Sequence, residues 1–131
     1  MPHAEALGVV LTLATAEESR GELAWSPERC TVGGILHGGA LMSLADSVGA
    51  VCAYLHLPEG ATTGTVESKT NFFRAVRSGT VRATARPLHA GRSLVVIQTE
   101  LHDDAGRRVA HTVQSQTVLP ARPAAAEPGD G

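Results

Sequence analysis

The amino-acid sequence predicts an α+β fold, with one long helix lying on an antiparallel sheet of about five to six strands. A single segment, from about Gly38 to His56, repeats apolar residues every three or four positions, which is typical of a helix. The other ordered segments alternate or are rich in Val and Thr, and turn residues separate them. One helix can cover one face of such a sheet.

The sequence predicts two strands, then the long helix, then four more strands. Pro27 ends the second strand because proline cannot donate to a ladder, and residues 103–106 form a hairpin turn before the last strand. The last four strands are expected to form a meander. The predicted strands are Leu7–Ala16, Arg20–Ser26, Thr62–Phe73, Thr80–Leu88, Ser93–His102 and Arg108–Leu119. This predicts one domain over residues 1–120 and a disordered tail over 121–131.

Length and composition exclude several functional classes. The chain has 131 residues, 43% of them hydrophobic and 18% charged, which indicates one globular domain. A net charge of −2 gives no basic surface for nucleic acid or an anionic membrane. No stretch has the pattern of a signal peptide or a membrane span, so we expect a cytoplasmic protein. Cys30 and Cys52 form no CxxC motif and the histidines lack metal-ligand spacing, so neither a metal nor a cofactor is predicted.

A glycine-rich turn leads directly into the predicted helix and carries the strongest functional signal. The segment runs from Gly33 to Asp46, and Asp46 follows His37 by nine positions. A carboxylate in an apolar helix is costly unless it has a use. Free N–H groups at a helix start suit a developing negative charge. The turn and the acid therefore predict half of an active site.

Asp46 lies outside the apolar stripe of the predicted helix. At helical spacing it shares a face with small residues, so a ligand or a second chain could approach closely there. A six-stranded sheet with one helix also has edges that favour pairing with a second copy. The residues on that face are Gly39, Met42, Ser43, Gly49, Ala50 and Ala53.

Four motifs resemble those of the hotdog-fold acyl-CoA thioesterases. They are His37-Gly38-Gly39, the helical segment 44–49, Thr65-Val66-Glu67, and residues 89–92. The resemblance extends over roughly residues 7–119 and is strongest to the phenylacetate-pathway, 4-hydroxybenzoyl-CoA (Arthrobacter type) and 1,4-dihydroxy-2-naphthoyl-CoA thioesterases. It implies a curved sheet wrapped around the helix, active sites between paired subunits, and a homotetramer built from two dimers.

The resemblance also implies roles for individual residues. The Gly38 N–H would bind the thioester carbonyl oxygen, and His37 would position the turn. Asp46 would attack the thioester or activate water, with Thr65 near that water. Substrate-binding positions implied by the resemblance are Thr31, Met42, Gly49, Ala50 and Tyr54 and, for the CoA nucleotide, Arg74, His89, Gly91, Arg92 and Ser93. CoA is part of the substrate, and no separate cofactor is expected.

Two positions depart from the family pattern. Thr31 stands where relatives carry Asn or Gln, and Asp46 stands where the 4-hydroxybenzoyl and naphthoyl enzymes carry Glu. The sequence predicts an aromatic or medium-chain acyl-CoA as substrate, and leaves open whether the carboxylate is nucleophile or general base. Three alternatives stay open: a structural role for Asp46, a non-catalytic acyl-CoA-binding hotdog protein, and a hotdog hydratase or dehydratase.

Overall fold

A computed structural model describes residues 1–121, in which two helices accompany one six-stranded sheet. Residues 122–131, and so nearly all of the predicted tail at 121–131, lie outside the described residues. Short 3-10 turns at Pro27–Arg29 and Val32–Gly34 lead into the long helix. The elements are α1 (Pro2–Leu7), β1 (Val10–Ala14), β2 (Ser19–Ala24), α2 (Gly38–Tyr54), β3 (Thr62–Phe72), β4 (Thr80–Ala90), β5 (Leu94–His102) and β6 (Arg108–Leu119).

Helix α2 is the long helix that the sequence predicts, and it lies across the sheet. It begins at Gly38, where His37 caps it, and ends at Tyr54, two residues before the predicted end. Its apolar stripe faces the strands because burial of those side chains drives the packing. Buried members of that stripe are Leu41, Leu44, Ala45, Val48 and Cys52.

The sheet is antiparallel, with the strand order β1-β2-β4-β5-β6-β3. The predicted meander is therefore confirmed for β4, β5 and β6 and is wrong for β3, which pairs with β6 instead of β4. The link between β3 and β4 does not form a hairpin that would pair these two strands. The Phe73 N–H bonds to Val109 O at 2.8 Å, and Val76 O accepts the Leu36 N–H at 2.9 Å. The link therefore crosses from β6 to the segment before α2, and β3 becomes an edge strand.

The N-terminal segment differs from its prediction. A strand was expected from Leu7, but residues 2–7 form α1, and β1 covers only Val10–Ala14. Pro2 stands in the first turn of α1, and Gly8 ends it with a left-handed φ of 102°. This arrangement, proline at the start and glycine past the end, is a helix signal that the apolar run after it obscures.

The inner face of the sheet has an apolar half and a polar half. Strands β2, β4 and β5 place Leu23, Val81 and Ile97 against α2, and all three are fully buried. Strand β6 instead turns Gln114 and Gln116 inward, with 0% and 1% exposure. Within the described residues, neither helix is long and apolar enough to cross a membrane.

Candidate active site

The turn before α2 presents one unused backbone donor. His37 caps the helix, since its Nδ1 accepts the Gly39 N–H at 2.8 Å. The N–H groups of Ala40 and Leu41 bond to His37 O at 2.9 and 3.2 Å. No acceptor within residues 1–121 takes the Gly38 N–H. The His37 side chain therefore organises the turn and leaves the Gly38 donor at the positive end of the helix dipole.

The Gly38 donor opens into a concavity that we name the turn pocket. Its walls bring together three predicted site residues, Thr31, Gly38 and Arg74, in an otherwise apolar lining. A Cβ on Gly38 would lie 3.3 Å from the Phe72 ring, so glycine keeps the aromatic wall close to the donor. The lining residues are Thr31, Ile35, Leu36, Gly38, Leu41, Phe72, Phe73, Arg74, Ala75 and Val76.

A second concavity, the carboxylate pocket, lies further along α2. It is lined by Met42, Ser43, Asp46, Thr65 and Ser68, three of which are predicted site residues. Strand β3 has a bulge between Thr65 and Glu67. A bulge adds one residue to one strand and shifts the alternation of its side chains. Thr65 and Ser68 thus both face this pocket although they are three residues apart.

The Asp46 carboxylate is held through one of its two oxygens. Oδ1 accepts Gln114 Nε2 at 3.0 Å and Thr65 Oγ1 at 3.3 Å. Oδ2 has no hydrogen bond within residues 1–121, and no cationic group of those residues lies within 4 Å of the carboxylate. A structural role for Asp46 as the partner of an arginine is therefore not supported. The uncharged donors hold the carboxylate through Oδ1, and Asp46 is exposed where it lines the pocket.

A series of side-chain hydrogen bonds connects Thr65 to Gln116 and Thr63. Thr65 Oγ1 accepts Gln116 Nε2 at 2.9 Å, and Gln116 Oε1 accepts Thr63 Oγ1 at 3.1 Å. This leaves the Thr65 hydroxyl hydrogen directed at Asp46. Sequence reasoning missed both glutamines of β6. The available signal was their spacing of two residues, which puts them on one face of the last strand.

The remaining predicted substrate-binding residues lie in other places. Gly49 is buried against Gln114, so a ligand does not reach it in this chain, and Ala53 on the same predicted face is also buried. Ala50 is half-buried, and Tyr54 is 62% exposed at the end of α2. The end of β4 and the β4–β5 connection form a separate surface. His89 lies in β4, and Gly91, Arg92 and Ser93 form the connection.

Some arginines already form an ion pair with an acidic side chain, and others do not. Arg82 contacts Asp104 at 2.9 Å, and Arg86 contacts Glu18 at 2.6 Å. Arg74 and Arg92 have no acidic side chain within 4 Å in the described part of the chain. These two are therefore the arginines of the predicted site that remain available for phosphate groups.

The cysteines and histidines give no second candidate centre. Cys52 is fully buried with Sγ 3.5 Å from Ala16 O, and burial raises the pKa of its thiol. A raised pKa disfavours the thiolate that a cysteine nucleophile needs. In residues 1–121 no three His, Cys, Asp or Glu side chains stand close enough to hold a metal ion.

Comparison with known proteins places this architecture in a family. Residues 33–110 match the thioesterase superfamily, and the chain belongs to it. Proofreading thioesterase EntH of Klebsiella pneumoniae is 33% identical over 102 residues, 78% of this chain and 74% of that protein. The 1,4-dihydroxy-2-naphthoyl-CoA hydrolase of Escherichia coli is 40% identical over 74 residues, 56% of this chain and 54% of that protein.

The solved structures agree with this assignment. A provisionally named esterase of Mycobacterium tuberculosis superposes with a TM-score of 0.90 at 31% identity, over 94% of this chain and 100% of that one. The predicted hotdog fold, with one long helix on a six-stranded antiparallel sheet, is therefore confirmed. The predicted enzyme class, thioesterase, is confirmed with it.

Proposed function

We propose that this chain hydrolyses the thioester of an aromatic or medium-chain acyl-CoA with Asp46 as the reacting carboxylate. The observation that carries the proposal is the one-sided anchoring of Asp46. Two uncharged donors hold Oδ1, Oδ2 has no hydrogen bond within residues 1–121, and Asp46 lines the carboxylate pocket. A carboxylate with one free oxygen suits either attack on a carbonyl carbon or proton abstraction from water.

Gly38 supplies the second requirement of thioester hydrolysis. The carbonyl oxygen gains negative charge when the carbon is attacked, and a preorganised donor at that position contributes about 3 kcal/mol. The Gly38 N–H is free at a helix start, and the absence of a side chain allows close approach. Asp46 Oδ2 then forms an acyl anhydride while the C–S bond breaks, or takes a proton from the attacking water.

The spacing of Gly38 and Asp46 supports a site that is shared by two copies of the chain. Eight residues of helix separate their Cα atoms by about 12 Å, whereas both groups must touch one carbonyl. Edge strand β3 is long, and it exposes 64% of Val66 and 48% of Phe72. Such an edge favours pairing with another strand. We therefore propose a dimer in which Gly38 of one copy faces Asp46 of the other, and a tetramer of two such dimers.

The substrate follows from the lining of the pockets and from the relatives. Phe72 and Phe73 give the turn pocket an aromatic wall, and Met42 adds an apolar wall beside Asp46. The related Escherichia coli hydrolase is named for an aromatic CoA ester. Arg74 and Arg92 are proposed to bind the CoA phosphates. We also propose that the reaction needs no separate cofactor and that the enzyme acts in the cytoplasm.

Thiol release from a panel of CoA esters tests the proposal directly. Acetyl, hexanoyl, palmitoyl, phenylacetyl, benzoyl and hydroxylated aryl esters are compared, with the full chain and with Asp46→Asn. We expect release from the aryl or hexanoyl esters and a loss of at least about 100-fold in kcat for Asp46→Asn, because the group acts in the chemical step.

Substitution of a second acid is the control for a general loss of negative charge. Glu59→Gln removes an exposed carboxylate in the loop after α2 and should leave turnover unchanged. Near-normal turnover of a folded Asp46→Asn protein contradicts the role of Asp46. Binding of these esters without any thiol release supports a non-catalytic acyl-CoA-binding protein, and loss of crotonyl-CoA absorbance supports a hydratase.

A further inference from the structure

Strand β6 buries two amide side chains where the rest of the core is mostly apolar. Gln114 is 0% exposed and Gln116 is 1% exposed. Burial removes an amide from water, which is costly unless each polar atom finds a partner. The hydrogen bonds of Gln114 therefore indicate why a glutamine stands there.

Gln114 is only partly satisfied, and its one strong partner is Asp46. Nε2 donates to Asp46 Oδ1 at 3.0 Å, while Oε1 is buried without a partner within residues 1–121. The reverse amide orientation would aim an oxygen at a carboxylate oxygen, so Asp46 fixes the orientation. An unpaired buried acceptor lowers stability, and leucine at this position would avoid that cost.

Gly49 makes room for this amide. It lies three residues after Asp46 on α2, and a Cβ there would overlap Gln114 Oε1 and lie 2.8 Å from Gln114 Cδ. Glycine inside a helix is less favourable than alanine. Gly49 and Gln114 thus each cost stability, and together they allow one contact with Asp46. Departures from local stability of this kind are typical of functional sites.

We propose that Gln114 is a positioning residue for Asp46 and that Gly49 is the position that admits it. Gln114 holds Oδ1 from inside the sheet, so that Oδ2 faces the substrate. Gln116 acts in the same way on Thr65, whose hydroxyl is the second donor to Oδ1. This inference rests on the proposed catalytic role of Asp46.

Gln114→Leu tests the positioning role because leucine has a similar size and no donor. We expect kcat to fall about 100-fold, as for misplacement of a catalytic group, with KM changed by less than about threefold. The melting temperature should stay equal or rise, since the unpaired buried oxygen is removed. A purely structural role predicts the opposite pattern, with lower stability and unchanged kcat per folded molecule.

Gln98→Leu is the matched control. Gln98 lies on β5 opposite Val113, the residue that precedes Gln114 on β6, and its Oε1 is 3.3 Å from His111 Nε2. The same substitution there should leave kcat and KM unchanged. Equal kcat for Gln114→Leu and wild type, alongside an inactive Asp46→Asn, overturns the positioning role while the proposed function stands.

Gly49→Ala tests the second part of the proposal. Alanine should raise helix stability, yet its Cβ displaces Gln114, so we expect kcat to fall about as far as in Gln114→Ala. The double variant should be no slower than Gln114→Ala alone, because both changes break one contact. Independent, multiplicative losses in the double variant overturn the link between Gly49 and Gln114.

A measurement without substrate keeps the proposal testable if the chain hydrolyses none of the esters. In the 1H–15N spectrum of the wild-type dimer, the side-chain amide of Gln114 should exchange slowly with water. Asp46→Ala should shift that signal and speed its exchange, while the Gln98 amide stays unchanged. An unmoved Gln114 signal overturns the contact with Asp46, whatever the reaction is.

Discussion

The turn pocket and the carboxylate pocket lie on the same helix and are built in different ways. The first centres on a backbone N–H at the start of α2, with an apolar and aromatic lining. The second centres on Asp46, and hydrogen-bonded side chains of β3 and β6 support it. The first therefore depends on backbone conformation, and the second depends on the identity of side chains.

This difference follows from the charge that each pocket handles. A carbonyl oxygen that becomes negative needs a fixed dipole, which the capped helix start provides. A carboxylate that must stay reactive needs orientation without a cation, and amide and hydroxyl donors provide that. Because about 12 Å of helix separates the Cα atoms of Gly38 and Asp46, the proposed site combines the turn pocket of one copy with the carboxylate pocket of another.

Gly38→Pro is expected to give the largest effect, since it removes the donor of the turn pocket. Proline suits the first position of a helix, and His37 already has the extended conformation (φ −62°, ψ 135°) that a following proline requires. We expect kcat to fall about 100-fold to 1,000-fold with little change in melting temperature. Gly38→Ala is the control, because it adds a Cβ beside Phe72 and keeps the N–H.

Equal rates for the proline and alanine variants would show that the N–H does no chemical work. Mixing Gly38→Pro with Asp46→Asn sharpens the comparison further. Each variant alone is inactive, but a mixed dimer contains one intact pair of pockets if each site uses both copies. Unfolding and refolding the mixture should then restore part of the wild-type rate. No recovery in confirmed mixed dimers contradicts a shared site.

Thr65→Val probes a supporting side chain of the carboxylate pocket and should have a smaller effect. It removes one of the two donors to Asp46 Oδ1 and the acceptor for Gln116 Nε2. The acceptor is a carboxylate, and a hydrogen bond to a charged group is worth about 1.5–3 kcal/mol. Because this bond is long at 3.3 Å, we expect the lower end of that range and a fall in kcat of about tenfold. Thr65→Ser keeps the hydroxyl and should stay near the wild-type rate, whereas a slow serine variant indicates that packing matters instead.

Local pattern in the sequence was enough to predict the helix and to single out the two residues on which the proposed site depends. The three- and four-residue repeat identified α2 within two residues of its end, and Asp46 was identified as a lone acid in that helix. His37 was identified with the glycine turn, and its side chain does cap the helix. These features depend on neighbours along the chain, which a single sequence contains.

The supporting residues could not be predicted in the same way. Gln114 and Gln116 occupy the face of β6 that ordinary hydrophobic patterning assigns to solvent, so only the fold shows that they point inward. The position of β3 beside β6 depends on pairing between distant segments, which local alternation does not specify. The sequence predicts Gly49 as a substrate-binding residue, because the small size of glycine does not show that the Gln114 side chain occupies the space beside it.

Asp104 lies outside both pockets, and its substitution should give the smallest change, in stability alone. Arg82 Nη1 donates to Oδ1 at 2.9 Å and the Thr80 N–H to Oδ2 at 3.2 Å, and together they lower the pKa of Asp104. A lowered folded-state pKa means that the charged carboxylate stabilises the fold above about pH 4, and that this stabilisation is lost as pH falls through the folded-state value. Asp104→Asn should therefore melt slightly lower than wild type at pH 7, and this difference in melting temperature should shrink as the pH falls through the folded-state pKa, with kcat unchanged. A melting difference that is constant across this range would contradict the electrostatic origin, and a changed kcat would show that this hairpin communicates with the pockets.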